Sequence, residues 1–132
     1  MKKILIVIMF VFVCLVANSQ ELYYSDAIAK ELKSVGFTVT KSGYATENLM
    51  AAMGADVPVY CVILSAKRYS VEQARIAIVK ILKKYDDCRL ETPWEKEKSS
   101  TSASYRCDGT PLIIWITYKN GKCNVLLLER AI

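Results

Sequence analysis

Three runs near the C-terminus carry apolar residues at every second position: SASYRC (102–107), TPLIIWITYK (110–119) and KCNVLLLER (122–130). A period of two sends successive side chains to opposite faces of a β-strand. Between the runs stand Asp108-Gly109 and Asn120-Gly121, pairs that tolerate the two positive φ angles of a type I′ turn. The pattern predicts an antiparallel meander running from Cys88 to Glu129. Two-residue turns also fix its register by counting. Tyr118 then faces Cys123, Ile116 faces Val125, Ile114 faces Leu127, Cys107 faces Thr110 and Tyr105 faces Leu112. One face so carries Ala103, Tyr105, Leu112, Ile114, Ile116, Tyr118, Val125 and Leu127, a core. The other carries Ser102, Ser104, Arg106, Ile113, Trp115, Thr117, Asn124, Leu126 and Leu128, a mixed surface that is either partly wet or covered by a second layer.

Helical periodicity occurs twice upstream. Ile28, Leu32 and Val35 follow Ser25-Asp26, a capping pair, and Gly36 stands at the expected C′ position. From Ser70 to Tyr85 the buried stripe is Val71, Ala74, Ile78, Ile81, Leu82 and Tyr85; Ser70 and Gln73 have the spacing of a capping box, and lysines gather at the C-terminal end. This second helix is expected to cover the sheet. Phe37 to Thr40 reads as a short strand broken by Gly43-Tyr44, and Thr46 to Met53 as a short helix or a loop over the core. Val57 to Ser65 is apolar on both faces, which places it at the sheet centre, with Pro58 tolerable at a strand beginning. CRLETPW, from Cys88 to Trp94, is an edge strand joined by the polar EKEKSST loop, because Pro93 cannot sit inside a sheet. The expected fold is α+β: the meander and a central strand in a single layer of sheet, packed against two main helices.

The N-terminus changes the setting. Met1-Lys2-Lys3, an apolar run from Ile4 to Val16 and Ala17-Asn18-Ser19 are the three parts of a secretory signal. The apolar run of about 13 residues is shorter than the ~20 of a spanning helix. The reading is a signal peptide over 1–19 and one α+β domain over 20–132, periplasmic or extracellular, with no membrane span in the mature chain. Loss of Lys2 and Lys3 lowers the formal charge from +5 to +3. No basic stripe interleaves with stacking aromatics, so nucleic acid is not an expected partner.

Export gives the remaining cysteines, Cys61, Cys88, Cys107 and Cys123, a setting in which disulfides form. The register places Cys107 and Cys123 eight residues apart along one strand, roughly 27 Å at ~3.4 Å per residue. A bridge needs Cα atoms within about 7 Å. When this edge strand pairs across the polar loop so that Cys88 falls opposite Cys107, Leu90 joins Tyr105 on the core face, and Arg89 faces Arg106. Cys88–Cys107 is the expected disulfide. Cys61 and Cys123 either form a second bridge or, for Cys61, remain a buried thiol.

The chain holds no histidine, which removes the usual general base, the Ser-His-Asp triad and the commonest zinc ligand. No C-x-x-C and no Gly-rich phosphate loop occur. Asp86-Asp87, Glu91 and the Glu95/Glu97 pair lie in segments that read as surface. No catalytic residue, metal ligand or cofactor is assigned. Gly109-Thr110-Pro111, followed by LIIWIT and the Lys119-Asn120-Gly121 turn, resembles the C-terminal hairpin of thioredoxin-like domains. That resemblance implies a cis Pro111 facing an active site, although the family's cysteine pair and closing helix are missing. The remaining chemistry is recognition. Trp115 with Arg106, Thr117 and Leu126 has the composition of an interface hot spot, unless the helix from Ser25 to Val35 covers that face. Trp94 beside Pro93 is a second exposed-aromatic candidate or an edge plug. The expectation is an exported, disulfide-stabilised binding protein without catalytic activity, its partner a protein or envelope ligand. The rival is a small envelope enzyme built on carboxylates or a reactive thiol, or a thioredoxin-like relative.

Overall fold

A computed structural model describes residues 23–45 and 58–130. The element order is α1 (Tyr24–Ser34), β1 (Thr38–Tyr44), β2 (Val59–Ala66), α2 (Val71–Leu82), β3 (Cys88–Lys96), β4 (Ser100–Cys107), β5 (Thr110–Lys119) and β6 (Lys122–Arg130). Six strands form one sheet in the order β1-β2-β6-β5-β4-β3, antiparallel throughout. With two helices beside it, the fold is α+β. The expected signal peptide, its cleavage after Ser19 and the helix from Thr46 to Met53 lie outside the described residues.

Both tight turns form. Asp108, Gly109, Asn120 and Gly121 all have positive φ, between 52° and 78°. Cys107 consequently pairs with Thr110 and Tyr118 with Cys123, and every counted partner in β4, β5 and β6 is found in place. One residue departs from the expected core face. Tyr118, at the end of β5, is 45% exposed, whereas Leu112, Ile114, Ile116, Val125 and Leu127 are completely buried.

Both helices pack on that same face: α1 over β1, β2 and β6, and α2 over β4, β5 and β6. Ile28 and Leu32 of α1 meet Ala74, Ile78, Ile81 and Leu82 of α2 above Val62, Leu64, Ile114 and Val125. Burying each large aliphatic side chain contributes about 1.5–3 kcal/mol. The alternative in which α1 covers the face of Trp115 is thereby corrected, because the buried stripe of α1 is spent on the other side.

Ser70 caps α2 through the expected box: its side chain accepts from the Gln73 N–H, and Gln73 accepts from the Ser70 N–H. Helix α1 starts two residues earlier than a cap at Ser25 implies. Its N-cap is Tyr23, with no side-chain cap, and Ser25 lies in the first turn, where its N–H donates to Glu129 Oε1 at 2.6 Å. Gly36, at φ 114°, closes α1 as expected.

Three strand expectations are adjusted. β1 runs on to Tyr44, since a bulge between Val39 and Lys41 and a positive φ at Gly43 let the chain bend without leaving the sheet. β2 lies between β1 and β6, one strand in from the edge, while β6 and β5 take the middle. The edge strand β3 extends to Lys96 rather than Trp94, because register shifts after Leu90 and after Thr92 absorb extra residues around Pro93. Leu90 pairs with Tyr105 as expected but stays 48% exposed.

Candidate functional site

Each inward residue of β5 and β6 is followed by an outward one, so the core dictates what the opposite face displays. Ser102 of β4, Trp115 of β5, Leu126 of β6 and Ile63 of β2 lie side by side across four strands. In the adjacent row Ser104, Ile113, Leu128 and Cys61 do the same. Leu128, Cys61 and Val59 form a small buried cluster with Ala45, Ile63 and Leu126 packed against it. Toward β5 this apolar surface opens, leaving Trp115 49% and Ile113 38% exposed.

The residues picked from sequence do not all meet there. Leu126 is directly across from Trp115, and Thr117 follows two positions along the same strand, beside Ser100 and Asn124. Arg106 pairs with Pro111, four residues from Trp115 along β5, or about 13 Å at strand spacing. Its guanidinium is committed to both carboxylate oxygens of Glu91, at 2.9 and 3.2 Å, and to the Gly109 carbonyl at 3.0 Å. Arg106 therefore braces the hairpin end and does not flank the tryptophan. Trp94 faces the other way: its indole N–H donates to the Tyr105 hydroxyl at 3.3 Å and its ring lies edge-on to Tyr105 against the core. It is an edge plug.

Cys88 and Cys107 are directly paired and bridged. Cys61 and Cys123 are free and buried. Cys123 pairs with Ala66, five residues along β2 from Cys61, and the two belong to clusters on opposite faces of the sheet. A bridge between them is out of reach. Burial pushes both thiols up, Cys123 to about 11, leaving little thiolate at neutral pH.

A polar cluster that the sequence reading missed surrounds the N-terminal end of α1. Glu129, 6% exposed, is the only buried charged residue among those described. Burial raises its carboxyl above the usual range, and the hydrogen bond from the Ser25 N–H opposes that rise. Tyr23 stacks on Tyr60 at 3.9 Å, and the Tyr60 hydroxyl donates to Asp26 at 2.8 Å. Tyr24 donates to Asp87, which with partial burial pushes the phenol up to about 12. Burial, then the bond to Asp26, raises Tyr60 as well. A carboxylate on the inward parity of β6, in line with Val125 and Leu127, was the available signal for this cluster. The Ser25 hydroxyl is buried here without a hydrogen-bond partner, and neither phenol releases its proton near neutral pH.

Among the described residues no peptide bond is cis, so Pro111 lacks the feature that the thioredoxin-like resemblance implied. Among the same residues no cluster of three or more His, Cys, Asp or Glu is placed to hold a metal ion. No described helix is long and apolar enough to cross a membrane. No family model matches the chain, and neither a curated protein nor a solved structure is significantly similar to it.

Proposed function

We propose that this protein works by binding, holding a protein partner against the sheet face centred on Trp115 after export from the cell. The observation that carries the reading is Trp115 itself. A large aromatic ring stands 49% exposed in an apolar row with Leu126 and Ile63, and next to exposed Ile113. Tryptophan surrounded by apolar neighbours is the side chain that most often dominates an interface, because docking a partner removes its large surface from water. Folding leaves this ring half in water, so about half of that gain is still to be made. The Cys88–Cys107 bridge suits an oxidising compartment and supports export. The thiol-enzyme reading has less to support it, since both free cysteines are buried and their thiols raised.

The test is affinity capture from an envelope extract with the oxidised protein, comparing wild type with Trp115→Ala and with Ile76→Ala, an exposed aliphatic on α2. One partner retained by wild type and by Ile76→Ala, but lost with Trp115→Ala, is the expected result. Equal recovery by all three removes the proposed surface.

A further inference from the structure

At the opposite end of the sheet from Glu129, a groove of about 610 Å³ opens between the end of α1, the start of β1 and the connection from β2 to α2. Lys67, Arg68 and Lys122 line it together with Thr38, Thr40, Ser65 and Tyr69, and no Asp or Glu does. We propose that this groove binds a phosphate or sulfate monoester.

The groove is held in shape by its own walls. Tyr69 packs its ring on buried Phe37 at 4.5 Å and donates its hydroxyl to the Val35 carbonyl at 2.7 Å. The Cys123 thiol reaches the Ser70 carbonyl at 3.8 Å. The segment that carries Lys67 and Arg68 is thus tied on one side to the end of α1 and on the other to the start of β6, beside Lys122. Such ties reduce the ordering cost that a ligand meets.

Charge and hydrogen-bonding capacity both remain available. The ion pairs among the described residues are Arg75 with Glu72, Lys84 with Glu31 and Arg106 with Glu91, and none involves a groove cation. Across the Asn120-Gly121 turn Lys119 pairs directly with Lys122. Like charges opposite one another are mildly destabilising, and a bound dianion relieves that repulsion. Thr40 is spent on the Ile63 carbonyl, while the Thr38 and Ser65 hydroxyls keep donors for anion oxygens. Two ammonium groups and a guanidinium supply charge-assisted bonds to three oxygens of one monoester, and the guanidinium does so bidentately.

The same group occurs on soluble sugar phosphates and on lipid headgroups. Backbone amide NMR of the oxidised protein would be followed during titration with glucose 6-phosphate, with glucose as the uncharged control, and sedimentation would be measured with phosphatidic acid and with phosphatidylcholine vesicles. Saturable shifts at Gly36, residues 65–69 and Lys122 with glucose 6-phosphate alone, weakened at least tenfold in the triple variant Lys67→Gln, Arg68→Gln, Lys122→Gln, are expected. Selective sedimentation with phosphatidic acid, lost in the same variant, assigns the group to lipid instead. Trp115→Ala leaves either result unchanged, which separates this site from the partner surface. Non-saturating shifts, or equal weakening by Lys80→Gln with Lys83→Gln at the C-terminal end of α2, overturn the proposal. An unchanged melting temperature of the triple variant shows that the loss is not unfolding.

Discussion

The two faces of the β5–β6 hairpin are built from alternating residues of the same chain, yet folding covers one far more fully than the other, where Leu128 is buried but its neighbours toward β5 are not. Ile114 and Ile116 are completely buried beneath α1 and α2, while Ile113 and Trp115, their immediate neighbours, remain 38% and 49% exposed. Hydropathy hardly distinguishes these four positions. What separates them is parity, set by two Asx-Gly turns, and the choice of both helices to pack on one side. An apolar side chain on the covered face is explained by stability. One left exposed on the opposite face is not, and that is why Trp115 carries the functional reading.

The largest expected effect tests the covered face. Ile114→Ala should lower unfolding free energy by about 2–5 kcal/mol, as cavity-forming changes in close-packed cores do. A chemical-denaturation midpoint close to wild type would mean that the core is not where the register puts it. Replacing Cys88 and Cys107 together by Ala should cost about 3 kcal/mol, because the bridge closes a loop of 19 residues and restricts the unfolded chain. That loss should leave the surface around Trp115 intact, so partner capture survives under conditions where the variant stays folded.

Glu129 sharpens the comparison through pH. Its carboxyl is raised above the ordinary value of 4.5 by burial, so the folded state holds this proton more tightly than the unfolded chain. The contribution is therefore fully present in acid and declines as pH rises from about 4.5 through the folded value. Stability of wild type relative to Glu129→Gln should fall over that interval, measured by denaturation at several pH values. A relative stability that climbs instead would mean the carboxylate is stabilised by the first turn of α1 more than burial penalises it. Smallest of all, Trp115→Ala should shift stability by less than about 1 kcal/mol, in the range of surface substitutions. A cost matching that of Ile114→Ala would erase the difference between the faces.

Much of this was legible in the sequence where the determining signal is local. Asp108-Gly109 and Asn120-Gly121 specify their own turns, and from them follow the strand pairs, the faces and the position of Cys107 opposite Thr110. Ser70 and Gln73 specify a helix start three residues apart. Distant partners left no such trace. Glu129 meets Ser25, 104 positions earlier in the chain, and no periodicity announces that contact. Arg106 reads as a free cation until the register shifts in β3 let Glu91 reach it. Pro93 signalled an edge strand, but not which way the bulges would turn Trp94. That α1 packs beside α2 instead of on the other face is a tertiary choice that its own amphipathic stripe does not encode.

The two tryptophans allow the difference between the faces to be read directly. Under excitation selective for tryptophan, Trp94→Phe leaves Trp115 as the emitting indole, and its fluorescence should be red-shifted and readily quenched by acrylamide, whereas Trp115→Phe leaves Trp94, which should emit further to the blue and quench less. Emission from Trp115 as shielded as that from Trp94 would contradict the open face on which the proposed binding role rests.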